Sequence, residues 1–188
     1  MTTIAYRDGV LASDSRLTQG EWIWTDKGKK ITRLRDGTLF GSSGDHEGSL
    51  ILEAALKEGN LFPELPEDSK DVHAIRVTPD GKVWFFEGYK WDRVPEGFVA
   101  IGSGRQAAMA ILRYGGSAVD AVKAGIASDV FSGGKVQTVR LRKHERSRDK
   151  AKTNNRRHAP KEHRAEDTRN ASEDRKASGA TEQTTLKA

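Results

Sequence analysis

Thr2-Thr3-Ile4-Ala5-Tyr6-Arg7-Asp8-Gly9-Val10-Leu11-Ala12-Ser13-Asp14 consists of two short runs with strand character separated by Asp8-Gly9. An Asp-Gly pair supplies the two positive-φ positions that a tight hairpin turn needs, so this stretch predicts an antiparallel hairpin. Further along the chain, Trp22-Ile23-Trp24 and Ile31-Thr32-Arg33-Leu34 read as short strands. After the Asp36-Gly37 turn, Thr38-Leu39-Phe40-Gly41-Ser42 leads into a small-residue loop. Helical periodicity starts near Asp45, with Leu50, Ile51, Ala54, Ala55 and Leu56 on one face and Gly59-Asn60 as the stop. A loop holding Pro63 and Pro66 precedes a second hairpin, Val72–Val77 and Val83–Phe86, about Pro79-Asp80-Gly81. Phe98–Ile101 is a buried-type strand running into Gly102-Ser103-Gly104. Two helices over about 105–113 and 117–130, Gly133-Gly134 and a strand over Val136–Leu141 complete the order. Hairpins dominate, and strands and helices come in blocks. This predicts a layered α+β fold of two mainly antiparallel sheets packed face to face with helices outside.

The average composition hides two different segments. Residues 140–188 hold 15 Lys and Arg, 8 Asp and Glu, no aromatic residue, and Leu141 and Leu186 as their only large aliphatics. That leaves residues 1–139 with 17 basic and 19 acidic residues, so the net +5 charge of the 188-residue chain comes from the tail. A segment so poor in apolar groups cannot offset the entropy of ordering its backbone. The expected organisation is a folded domain over 1–141, which holds all 13 aromatics, and a basic, disordered tail over 142–188. Such a tail would bind polyanions weakly and without specificity, by phosphate neutralisation. The chain has no cysteine, which excludes disulfides and thiolate chemistry and fits a reducing, cytoplasmic setting. No apolar run reaches the roughly 20 residues of a membrane helix, and Met1–Ala5 lacks the pattern of a secretory signal, so no membrane association is expected.

Thr2 is the first candidate for chemistry. Removal of Met1, expected before a residue as small as threonine, would leave Thr2 with a hydroxyl and a free α-amine. An α-amine titrates at about 7.7–8.0, so part of it is neutral near physiological pH and can act as base for its own hydroxyl. Such a nucleophile needs a cation nearby, a carboxylate to hold that cation, and backbone N–H groups for the oxyanion. Many chains begin Met-Thr, so the case depends on whether the rest of the chain supplies these groups.

Six stretches, in chain order, bear on that: Thr2-Thr3-Ile4, Ala12-Ser13-Asp14-Ser15-Arg16-Leu17-Thr18-Gln19-Gly20, Lys29-Lys30-Ile31, Gly41-Ser42-Ser43-Gly44, Ile101-Gly102-Ser103-Gly104 and Asp129-Val130-Phe131-Ser132-Gly133-Gly134. Each is short, but in this order they resemble the proteasome β-subunit and HslV-type N-terminal threonine peptidases. The resemblance implies the four-layer αββα sandwich of the N-terminal-nucleophile (Ntn) hydrolases. It makes Thr2 the nucleophile and, through its amine, the base. Asp14 would pair with Lys30, and Lys30 would lower the pKa of the nucleophile. Lys29 is the competing assignment, because alternation along a strand puts one of the two lysines on the active face. Ser103, Asp129 and Ser132 would support the amine and its proton relay, and the Gly44 N–H would receive the oxyanion. Leu17, Thr18 and Ser42 would line the substrate cleft, with the Thr18 backbone pairing to an extended polypeptide.

The same resemblance implies a threonine-type endopeptidase that needs no cofactor and no metal. It also implies self-association into a ring and a candidate ATP-dependent unfoldase partner. Two departures stand out. The interval from Asn60 to Asp71, with two prolines, is too short for the family's long second helix, which is expected to be shortened or missing. Asp45-His46 replaces small residues after the oxyanion glycine, so the first specificity pocket is expected to be polar. Two other readings stay open: a catalytically inactive ring-forming scaffold, and an Ntn amidase acting on a non-peptide amide.

Overall fold

The expected hairpin is the centre of the first sheet. In the computed structural model, which describes residues 2–142, β1 (Ile4–Arg7) and β2 (Val10–Ser13) pair antiparallel with Ile4 opposite Ser13 and Tyr6 opposite Leu11. Asp8 and Gly9 both have positive φ, 49° and 78°, as the two-residue turn requires. The chain continues through β3 (Leu17–Gln19), β4 (Trp22–Thr25), β5 (Ile31–Arg33), β6 (Leu39–Gly44) and α1 (His46–Lys57). It then runs through β7 (Val72–Val77), β8 (Val83–Glu87), β9 (Lys90–Arg93), β10 (Val99–Ile101), α2 (Arg105–Arg113), α3 (Ala118–Ser128) and β11 (Gln137–Arg140). The reading of 142–188 as a separate basic tail falls, apart from Arg142, outside the described residues.

These strands form two large antiparallel sheets and a ribbon. The first sheet has the order β10-β1-β2-β11, the second β5-β6-β7-β8-β9, and β3 pairs with β4. Strand alternation sorts the core. Ile4, Tyr6, Leu11 and Ile101 of the first sheet pack with Ile31, Leu39, Ile75, Val77 and Val83 of the second. The opposite face of the first sheet presents Ala5, Ala12 and Ala100, whose small side chains receive Ala108 and Leu112 of α2 and Ala118, Ala121 and Val122 of α3. On the outer face of the second sheet, Phe40, Val72, Ala74, Phe86 and Trp91 pack with Leu52 and Leu56 of α1. The structure is thus a mixed α/β fold with antiparallel sheets and three α-helices among the described residues. Between α1 and β7 it holds a single 3-10 turn, Glu67–Ser69, and no second α-helix. None of the helices described is long and apolar enough to cross a membrane.

Several elements differ from the sequence reading. β6 does not yield to a loop at Ser42; it runs to Gly44, paired residue by residue with β7 up to Gly44 opposite Val72. Small residues have little strand preference of their own, and here the neighbouring strand supplies it. β3 and β9 are strands that local pattern alone does not announce. α3 ends at Ser128, and Asp129 leaves the helix in extended geometry with φ −118° and ψ 117°.

The helix faces give a direct check. Leu52 is fully buried and Leu50, on the same helix, is 55% exposed. Leu52→Ala is expected to destabilise the fold by about 2–5 kcal/mol, and Leu50→Ala by less than about 0.5 kcal/mol, as measured by urea unfolding. Equal losses would mean that α1 docks by another face.

Candidate active site

The turn after β2 fixes the site. Asp14 is fully buried and its carboxylate accepts from four donors. Oδ1 accepts the Thr3 N–H at 3.0 Å and the Lys30 Nζ at 2.8 Å. Oδ2 accepts the backbone N–H groups of Gly133 at 3.0 Å and Arg16 at 3.2 Å. Lys30 lies just before β5 with its side chain 3% exposed, so a strand of the second sheet delivers a cation to the first. Burial pushes the Lys30 ammonium below its ordinary value of 10.5, and the Asp14 carboxylate pulls it back up. Lys29, the alternative, is exposed on the rim of the cleft.

A second chain of hydrogen bonds reaches Thr2 from the far end of the sequence. The Thr2 N–H donates to Ser103 Oγ at 3.2 Å, and Ser103 Oγ donates to Asp129 Oδ2 at 2.5 Å. Ser132 Oγ donates to the same Asp129 oxygen at 2.6 Å, and Thr3 Oγ1 lies 2.7 Å from Ser132 Oγ. Since the Ser132 proton is used on Asp129, Thr3 Oγ1 is the donor in that last contact. Burial raises the Asp129 carboxyl, but the donors Ser103, Ser132 and the Phe131 N–H outweigh it and hold Asp129 below its ordinary value. Asp129 reaches both hydroxyls from just past the end of α3.

Two glycines make the close approaches. Gly102 has φ +91°, and a Cβ there would lie 1.9 Å from the Thr2 carbonyl oxygen. Gly44 has φ +98°, and a Cβ there would lie 2.1 Å from the Asp71 carbonyl. Gly44 thereby ends β6 beside Thr2, and Asp45 caps α1 by accepting the Gly48 N–H at 2.7 Å.

The sequence-derived site residues converge. Thr2, Leu17, Thr18, Lys30, Ser42 and Gly44 line one cleft of about 490 Å³. Ser103, Asp129 and Ser132 close on Thr2 and Thr3 from the other side, through their shared hydrogen bonds. The cleft is mixed in character, with Leu17, Trp24 and Leu50 against Asp45, His46 and Glu53. Sequence reasoning missed Thr3, whose N–H and hydroxyl both serve the network, and the signal was only its place beside Thr2. It also missed the Gly133 and Arg16 N–H donors, which become visible once the turns fold, and Trp24, 60% exposed on the ribbon.

The Asp14 hub has a measurable signature. Removing one member of a buried pair leaves the other charge uncompensated, at about 3–5 kcal/mol. Asp14→Ala is expected to cost that much in urea unfolding. Lys30→Met is expected to cost less, because Asp14 keeps three backbone donors. The reverse order would contradict the arrangement.

No family model matches this chain, and no curated protein matches it. Solved structures do. BPH from Thiobacillus denitrificans, in complex with epoxomicin, is 19% identical with a TM-score of 0.55, covering 75% of this chain and 98% of that one. A second structure of BPH from Thiobacillus denitrificans is 20% identical with a TM-score of 0.55, over 76% and 99% of the two chains. Eukaryotic HslV from Trypanosoma brucei is 18% identical with a TM-score of 0.56, over 74% and 98%. At these identities the likeness is one of fold: this chain is built as HslV and BPH are built.

Proposed function

We propose that this chain is an N-terminal threonine peptidase, which becomes competent when Met1 is removed and Thr2 carries a free α-amine. The observation that carries the reading is the convergence of Thr2, the Asp14–Lys30 pair and the Ser103–Asp129–Ser132 triangle from separated segments onto one cleft. The fold shared with HslV supports it. So does the fold shared with BPH, which was solved with epoxomicin.

The roles follow from the positions. The neutral α-amine takes the proton of Thr2 Oγ, directly or through one water, as Oγ attacks the substrate carbonyl carbon. The Lys30 ammonium, held by Asp14, stabilises the negative charge that develops on Oγ. The Gly44 N–H receives the carbonyl oxygen of the tetrahedral intermediate. As the C–N bond breaks, the protonated α-amine returns its proton to the leaving nitrogen, and an ester to Thr2 Oγ remains. A water that gives its proton to the same amine attacks that ester, and collapse releases the acid and regenerates Thr2. Ser103, Asp129 and Ser132 orient the amine and pass its proton. Thr18, on the β3–β4 ribbon, would pair its backbone with an extended substrate beside Leu17 and Ser42.

Architecture and assembly belong to the same reading. The three clusters, two outside the sheets and one between them, support a four-layer αββα sandwich. Self-association into a ring, with an ATP-driven unfoldase as partner, completes it. Trp22, 62% exposed on the ribbon, is an apolar side chain that suits a contact between copies.

Hydrolysis of an internally quenched peptide library tests the activity. Protein whose first residue is Thr2 is expected to turn over peptides. Thr2→Ala is expected to lose activity by at least about 1000-fold, and Thr2→Ser to retain a measurable part, since removing a member of a nucleophilic unit costs factors of this order. Activity that survives in Thr2→Ala would overturn the proposal. Wild-type protein with Thr2 exposed but no turnover would favour the scaffold reading.

A further inference from the structure

A second cleft, of about 400 Å³, meets the first at Thr2, Ser43 and Gly44 and shares no other lining residue with it. It is the open end of the layer between the two sheets. Along β6, Leu39 and Gly41 face that layer, and alternation puts Ser43 on the same side. Strand register sets His73 opposite Ser43 and Glu87 opposite His73, so these three form one cross-strand row. Phe85 lies two residues before Glu87, on the same face, and stacks on His73 with centroids 6.1 Å apart and planes 20° apart.

The chemistry of the row is specific. His73 Nε2 lies 3.6 Å from Glu87 Oε1, and His73 Nδ1 lies 4.0 Å from Asp71 Oδ1. The cleft therefore carries two carboxylates against one guanidinium, Arg105, which already donates to the Gly102 carbonyl at 3.5 Å. Among the described residues no group of His, Asp and Glu is arranged to hold a metal ion, so the row is not a metal site. An independent observation points to a ligand. Ser43 is 6% exposed, lines the cleft, and its buried Oγ has no hydrogen-bond partner. A buried hydroxyl left unpaired costs free energy, so a donor or acceptor that reaches it from the cleft is favoured.

We infer that this second cleft receives the leaving-group side of a cleaved peptide and takes a basic side chain, Lys or Arg, next to the scissile bond. The inference rests on the proposed function, because a carbonyl held between Thr2 and Gly44 divides a peptide where the two clefts meet. The acyl half then follows the Thr18 edge through the first cleft, and the amine half enters the second. Phe85, Ala100 and Ile101 form an apolar wall for the aliphatic stem of the basic side chain. Asp71 and Glu87, at the rim, receive its charged head, and the Ser43 hydroxyl accepts an N–H or donates to a carbonyl deeper in. Both carboxylates are well solvated, with side chains 86% and 67% exposed, so each adds discrimination rather than strong affinity.

Binding, not turnover, tests this. The full chain carrying Thr2→Ala is titrated with Arg-Ala-Ala amide and with norleucine-Ala-Ala amide, followed by amide NMR shifts. The arginine peptide is expected to bind about five-fold tighter, the scale of one or two exposed ion pairs, and to shift Gly44, His73 and Ser103. In the Asp71→Asn/Glu87→Gln double variant the difference between the peptides is expected to vanish while the norleucine peptide binds as before. Equal affinities in the parent protein, a preference that survives the double variant, or shifts confined to Leu17 and Trp24 would each overturn the inference. Because no bond is cleaved, failure here is distinct from failure of the Thr2 hydrolysis assay.

Discussion

Asp14 is a fully buried carboxylate with four donors. Burying it costs several kcal/mol in desolvation, which the Lys30 charge and three backbone N–H groups offset only when all are in place. That requirement ties distant parts of the chain together. Lys30 brings the edge of the second sheet to the end of β2, Gly133 brings the turn before β11, and Thr3 aligns the start of β1. A buried ion pair is poor evidence for stability, since an apolar pair of the same volume often serves as well. Its value here is positional: it sets a cation beside the first residues of the chain.

The second constraint acts on Thr2 from the opposite side. The turn at Gly102-Ser103-Gly104 and the end of α3 both lie against Thr2 and Thr3, and no side chain larger than hydrogen fits at Gly102. Two serines and one carboxylate then form a closed set around Thr2 N and Thr3 Oγ1. Because one Asp129 oxygen takes both serine protons, the direction of every hydrogen bond in the set is determined. A Thr2 nitrogen held by such a set has a fixed orientation, which is what the proposed general base chemistry by an α-amine would demand.

Much of this was legible in the chain. The Asp8-Gly9 turn, the alternation of Ile4, Tyr6 and Leu11, and the bounds of α2 follow from local pattern alone. Alternation says that one of Lys29 and Lys30 faces inward and not which one; the fold buries Lys30 beside Asp14 and leaves Lys29 exposed. β6 was harder. Gly41-Ser42-Ser43-Gly44 carries no strand signal, and its extended form depends on pairing with β7, far along the chain. The row of Ser43, His73 and Glu87 was invisible for the same reason: three unremarkable residues become neighbours only through strand register. The second α-helix, expected to be reduced, is replaced by a 3-10 turn that leads directly to Asp71 at the second cleft.

The proposed chemistry requires that Thr2 present its hydroxyl and a free α-amine together. The most direct measurement is the intact mass of the purified protein before and after incubation with a peptide epoxyketone, a reagent that captures a hydroxyl and an adjacent α-amine together. The parent protein is expected to lose Met1 and take up one adduct per chain, and Thr2→Ala to take up none. A chain that loses Met1, binds its substrate peptides and still takes up no epoxyketone, or one that forms the adduct equally in Thr2→Ala, would contradict that chemistry.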